Sequence, residues 1–196
     1  MIEIQGLTKV YGEHVAVQDL NMQIKPGTVY GFIGPNGAGK STTIKVLAGI
    51  LTPTRGTAVV AGHKIPGAAA RVRASVGYMP DDFGVYDGIT VQEYLDFFAA
   101  SYGLLRRQRV QTVKDVMTLT DLVPHERKLV AELSKGMRQR LCLAKTLVHD
   151  PKGLILDEPA NGLDPRARIE LRVLLKELSA MGKTIIISSH ILTELS

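Results

Sequence analysis

The eight residues Gly34-Pro35-Asn36-Gly37-Ala38-Gly39-Lys40-Ser41 constrain this 196-residue chain more than any other stretch. Their spacing is G-x-x-x-x-G-K-[ST]. An apolar run at 29–33 before them reads as a strand, and residues 40–50 after them read as a helix. Glycines let the backbone curl until successive N–H groups converge on one point. The N-terminus of the following helix adds its dipole there. Such a loop is a phosphate cradle, with Lys40 placed for the β- and γ-phosphates and the Ser41 hydroxyl for magnesium. A strand–loop–helix unit of this kind sits in an α/β fold with a parallel sheet.

The rest of the chain falls into three blocks. Residues 1–80 read as short strands (2–4, 29–33, 57–60) punctuated by Gly and Pro. Residues 82–150 read as helical. Thr90 followed by Glu93 matches a capping box. Val91, Tyr94, Leu95, Phe98 and Tyr102 then follow the spacing of one buried helix face. A second helix is expected from Ser134, with Met137, Leu141, Ala144 and Val148 as its apolar stripe and Asp150-Pro151 as its stop. Strands return at 154–156 and 184–187. The helix between them, about 165–180, is expected to place Ile169, Val173, Lys176 and Ala180 on one side and Glu170, Arg172 and Glu177 elsewhere. Strand, helix, strand at this spacing indicates parallel pairing through a crossover.

Composition narrows the classes. At 45% hydrophobic and 22% charged, the chain can bury a core, which excludes disorder. The net charge of +5 is scattered, so no nucleic-acid partner is expected. A single cysteine, Cys142, excludes a disulfide framework or a cysteine-rich metal site. No apolar run approaches the roughly 20 residues that span a bilayer, and Met1 to Gln5 lack the basic start of a signal peptide. The expectation is a soluble, intracellular α/β domain.

Leu154-Ile155-Leu156-Asp157-Glu158 is an apolar strand ending in two carboxylates. Parallel sheets bind ligands beyond the carboxyl ends of their strands. There Asp157 can hold magnesium, directly or through water, and Glu158 can polarise an attacking water.

The phosphate loop, Leu133-Ser134-Lys135-Gly136-Met137, Asp157-Glu158, Asn161-Gly162-Leu163-Asp164 and Ser189-His190 occur in one order. That order resembles the ATP-binding cassette (ABC) ATPases over essentially the whole chain. Gly77-Tyr78-Met79-Pro80-Asp81 and Phe83-Gly84-Val85-Tyr86 are most similar to ATPase subunits of bacterial exporters, multidrug-type among them.

The resemblance implies an ABC-type nucleotide-binding domain built on the P-loop NTPase fold. Its core, about 1–80 and 151–196, joins a mainly parallel sheet to an N-terminal antiparallel part, with 82–150 as an inserted helical subdomain. It also implies ATP and Mg²⁺. Tyr11 would lie against the adenine, while residues Gly34 through Thr42 cradle the triphosphate. Ser134 and Gly136 would reach the γ-phosphate held by a second copy, and Asp164 would link the two sites. His190 would contact the γ-phosphate and help position the water. Implied partners are a membrane-embedded permease, docked by the helical block, and a second copy or homologous ATPase subunit, at the cytoplasmic face of the membrane.

The chain departs from the family pattern at several positions. Gln is usual where Asp81 stands, sensing magnesium and coupling to the membrane partner; a carboxylate can also ligate magnesium, so Asp81 stays a nucleotide and metal candidate. Lys135 replaces the first glycine of LSGGQ, and Met137 replaces its amide. Gly153 weakens the apolar run before Asp157. The chain stops six residues past His190, where the family usually continues, so a domain excerpt is expected. Two other classes remain open: a soluble ABC protein acting on ribosomes or DNA, and a small-molecule kinase on a phosphate-loop fold.

Overall fold

One short helix is shared by two sheets, and that arrangement places everything else. The computed structural model describes residues 1–82, 84, 86 and 88–190. Phe83, Val85, Asp87 and residues 191–196 lie outside the described residues, so the 83–86 run is seen only at Gly84 and Tyr86. In chain order the elements are β1 (Ile2–Tyr11), β2 (His14–Ile24), β3 (Val29–Ile33), α1 (Lys40–Leu47), β4 (Arg55–Val60), β5 (His63–Ile65), α2 (Ala69–Ser75), β6 (Val76–Met79), α3 (Val91–Ser101), α4 (Arg106–Leu119), α5 (Lys135–Leu147), β7 (Gly153–Leu156), α6 (Pro165–Ala180) and β8 (Thr184–Ser189).

β2-β1-β4-β5 form an antiparallel sheet, and β3-β8-β7-β6 form a parallel one. Alternation along the parallel strands divides the core. Ile155 and Ile186 face α1, packing with Ile44, Leu47 and the inward residues Ile2, Ile4 and Leu7 of the antiparallel sheet. Leu154, Leu156, Ile185 and Ile187 face the other way, against helices α3, α4, α5 and α6. Among the described residues, no helix is long and apolar enough to cross a membrane.

The expected blocks are present with wider strands. The run at 2–4 is the start of a ten-residue strand. Its partner β2 was not legible because Gln18 and Asp19 break the alternation, and the pairing register shifts between Leu7 and Val10. Helix α4 was also missed; its buried stripe is only Val113, Val116 and Met117. Helix α1 ends at Leu47, short of the expected residue 50, as Gly49 turns to φ +69°. The capping box is formed: Thr90 accepts from the Glu93 N–H, and Glu93 accepts from the Thr90 N–H.

Two expectations on helix faces are corrected. In α6 the buried residues are Leu174, Leu175 and Leu178, whereas Ile169 and Val173 are more than half exposed. The leucines outbid the branched residues because they are the ones that meet the parallel sheet. Tyr102 is not buried with its helix face; it is the C-cap of α3, 44% exposed, and stacks on His149 with ring centres 3.9 Å apart.

Two glycines sit in close contacts, and backbone fixes one of them. A Cβ on Gly77 would lie 2.4 Å from the Thr146 carbonyl oxygen, because α5 rests directly on β6. A Cβ on Gly153 would lie 2.3 Å from Met1 Cε, the movable end of a flexible side chain, so a larger residue here would first displace Met1. Gly77→Ala should destabilise the fold by about 2 kcal/mol or more, as overpacking against backbone does; a denaturant midpoint unchanged from wild type would contradict the packing.

His149 gives a pH handle. Burial holds its imidazole below the ordinary 6.5, helped by Lys183 and opposed by its contact with the Val76 carbonyl oxygen at 3.2 Å. The folded state therefore favours neutral imidazole, and this contribution is present above the unfolded pKa and lost as pH falls from there through the lower folded pKa. The melting temperature should drop on going from about pH 7.5 to 5.5, and His149→Phe, which keeps a ring for the stack but takes no proton, should show a smaller drop.

Candidate nucleotide site

The parallel ladder gathers the functional residues at one edge. Ile33 pairs with Ser189, Leu156 with Ile187, and Met79 with Leu156. The residues that follow these strands, Gly34, His190, Asp157 and Asp81, therefore emerge side by side at the carboxyl edge. The Gly34 N–H donates to the Ser189 carbonyl at 3.3 Å, and the Asp157 N–H to the Met79 carbonyl at 2.8 Å.

The glycine loop lies on β2. Gly39 has φ +80°, and a Cβ there would sit 2.3 Å from the Ala16 carbonyl oxygen and 2.8 Å from Val17 Cγ2. Pro35, Asn36, Gly37 and Ala38 are exposed, Gly34 and Thr42 half-buried. Helix α1 begins at Gly39 with no side-chain cap and no acidic residue in its first turn. Its orphan N–H groups and dipole are thus left for an anion. Lys40 is buried at 6% exposure, and its ammonium donates to the Gly34 and Pro35 carbonyls at 2.7 and 3.1 Å. The same ammonium is 3.5 Å from Glu158 Oε1.

Beside it lie the two carboxylates, Asp157 at 2% and Glu158 at 8% exposure. Asp157 Oδ1 accepts from Ser41 Oγ at 3.2 Å and from Ser188 Oγ at 2.6 Å. Glu158 takes φ +49°, which turns it out of the strand; its N–H donates to Ser188 Oγ at 2.9 Å. Its Oε2 lies 2.8 Å from His190 Nδ1. A lysine, an imidazole, two carboxylates and two hydroxyls from distant parts of the chain thus form one contact group. Ser188 was not singled out from the sequence; the signal was a hydroxyl pair, Ser188-Ser189, interrupting an isoleucine run just before His190.

Among the described residues, no three His, Cys, Asp or Glu side chains form a metal cluster. Magnesium fits Ser41 and Asp157, which are adjacent hard oxygen donors, with the remaining ligands left to phosphate and water. Asp81 is not in that contact group by any hydrogen bond; its Oδ1 accepts from Asn161 Nδ2 at 3.0 Å. It does lie near enough, with Asp157, to help burial push the Tyr78 phenol up to about 12. Tyr11 is 46% exposed, opposite His14 in the β1–β2 hairpin, with the Lys9 ammonium 5.1 Å from its ring centre.

A cleft of about 440 Å³ brings together Ser134, Gly136 and Asp164 and includes none of residues 34–42. Ser134 caps α5, accepting from the Met137 N–H at 3.3 Å, and Asp164 caps α6, accepting from the Ala167 N–H at 2.9 Å. Lys135 lies across the turn between them, where a Cβ on Gly162 would meet its Nζ. Cys142 is buried in α5, and burial raises its thiol to about 11, so it is no nucleophile.

The family model described as "ABC transporter" matches residues 17–161. The chain belongs to this family. Among relatives, the ABC chain is 38% identical to the Nod factor export ATP-binding protein I of Cupriavidus metallidurans, over 99% of its own length and 64% of that protein's. It is 36% identical to the probable multidrug ABC transporter ATP-binding protein YbhF of Escherichia coli, over 99% of its own length and 34% of that protein's. It therefore spans less than two thirds of either relative. Among solved structures, a dimeric post-hydrolysis state of the ATP-binding cassette MJ0796 bound to ADP and phosphate has the same fold, with a TM-score of 0.89 at 23% identity, covering all of this chain and 90% of that one.

The tight seat of Gly39 yields a prediction for this ABC chain. Gly39→Ala should cost about 1–3 kcal/mol of stability through its positive φ and the Ala16 contact and should also weaken nucleotide binding. Calorimetric melting and titration with a fluorescent ATP analogue measure the two losses separately.

Proposed function

We propose that this chain binds and hydrolyses ATP as the energy-coupling subunit of an ABC exporter. The observation that carries the reading is Glu158 held between Lys40 and His190, beside Asp157 and the uncapped start of α1. The triphosphate lies on residues 34–42, where the uncapped α1 N–H groups meet phosphate oxygens and the Lys40 ammonium exchanges its Gly34 and Pro35 carbonyl partners for them. Tyr11 takes the adenine. Ser41 and Asp157 would hold Mg²⁺, with Asp81 as a further candidate ligand, and the ion would neutralise phosphate charge. Glu158 takes a proton from the attacking water, and His190 orients that carboxylate and the γ-phosphate.

Ser134 and Gly136 act on nucleotide held by a second copy; their place in a cleft that includes none of residues 34–42 supports this. The α5 N-terminus then points at that phosphate, and Asp164 ties one site to the other. The MJ0796 cassette, of like fold, is described as a dimer. Closure of two copies on ATP, reopened by hydrolysis, is the power stroke.

The permease docks on the helical block of the single domain, residues 82–150. Tyr86 and Phe97 support this: both are more than half exposed, with ring centres 6.0 Å apart. The reading places the chain at the cytoplasmic face of the membrane. Export as the direction rests on the relative's name as a Nod factor export protein.

Glu158→Gln tests the reading. Turnover should fall about a hundredfold or more, the usual contribution of a positioned base, with ATP binding retained. Light scattering should then show an Mg-ATP-dependent shift from monomer to dimer; retained hydrolysis would remove Glu158 as the base.

A further inference from the structure

We infer that Ser188 is a positioning residue that sets both carboxylates of the hydrolytic site through one hydroxyl. The inference rests on the reading of Asp157 as a magnesium ligand and Glu158 as the base. Ser188 is 0% exposed, in the central strand pair of the parallel sheet. The ladder between β7 and β8 ends at Leu156 with Ile187, so Glu158, turned to φ +49°, has no strand partner for its N–H. The Ser188 oxygen supplies one at 2.9 Å. Its proton goes the other way, to Asp157 Oδ1 at 2.6 Å.

A hydroxyl has one proton to give, so these two bonds fix each other. Donation to a carboxylate leaves the Ser188 lone pairs facing Glu158, and the negative charge of Asp157 makes that oxygen a better acceptor. The backbone of the base and the side chain of the metal ligand are thereby held in one register. Ser41 reaches the same Asp157 oxygen, but at 3.2 Å and from the first turn of α1, beside the phosphate loop. Ser188 comes from the sheet and is the fixed donor of the two. An ordinary buried serine would satisfy its hydroxyl on its own strand or helix. Here both partners belong to the site.

The test compares Ser188→Ala, Ser188→Thr and Ser188→Cys in the full chain. In Ser188→Ala, kcat should fall about tenfold or more with KM for ATP changed less than about twofold, the scale of losses on removing groups that orient metal ligands. The magnesium concentration at half-saturation of fluorescent ADP binding should rise about threefold or more, a readout free of turnover. Ser188→Thr keeps the hydroxyl and should restore most of both. Ser188→Cys keeps the volume with a weaker donor and should show the same losses if the alanine variant fails to fold. Wild-type values of kcat and magnesium dependence in the alanine or cysteine variant overturn the proposal, as does a threonine variant that melts like wild type yet fails to rescue. Turnover retained by Glu158→Gln sinks the underlying reading of the base, while the magnesium titration still judges the bond from Ser188 to Asp157.

Discussion

Everything at the site depends on β8 lying between β3 and β7 in parallel register. Parallel pairing brings like ends together, so the chain's four strand exits open on one edge. Pairing of β3 with β8 sets Gly34 beside His190, and pairing of β7 with β8 sets Asp157 beside Ser188. An antiparallel neighbour would have sent one of these groups to the far side of the domain. Burial on both faces keeps the register: Ile155 and Ile186 on one side, Leu154, Leu156, Ile185 and Ile187 on the other. A slip by one residue would exchange these two sets and break both cores.

Helix α1 links the energetics to the chemistry. Its apolar residues Ile44 and Leu47 are locked between the two sheets, while its first residues carry Lys40 and Ser41. Its N-terminus is uncapped, an arrangement that costs stability in an ordinary helix and is tolerated where an anion completes it. The same contrast appears at Glu158, a non-glycine residue at positive φ. Local strain of this kind persists where surrounding bonds over-determine it. Here the Ser188 hydroxyl, the Lys40 ammonium and the His190 ring all hold the residue.

The candidate residues fall into two separate groups. The phosphate loop and the carboxylates lie on the sheet edge, whereas Ser134 and Gly136 lie at the start of α5 against the 162–164 turn. Lys135 covers Gly162 in that turn, so the departure from the usual glycine puts a cation where the two capped helix starts meet.

Much of this was legible because the informative residues are local. The glycine loop, the Thr90 cap, the Asp157-Glu158 strand end and the α6 limits each follow from neighbours within a few positions. Where distant residues decide the outcome, sequence reading missed or misjudged it. The outward turn of Ile169 and Val173 depends on which α6 residues meet the sheet, and the long β2 strand depends on a shifted register with β1. Ser188 reads as one more strand residue until β7 is set beside it. By itself, then, the sequence determined the fold class and which residue types carry the chemistry, since backbone curl, capping and apolar period are short-range properties. Only the tertiary structure decided which of those residues touch, because the Ser41–Asp157 and Lys40–Glu158 contacts join segments more than 110 positions apart that no local rule connects.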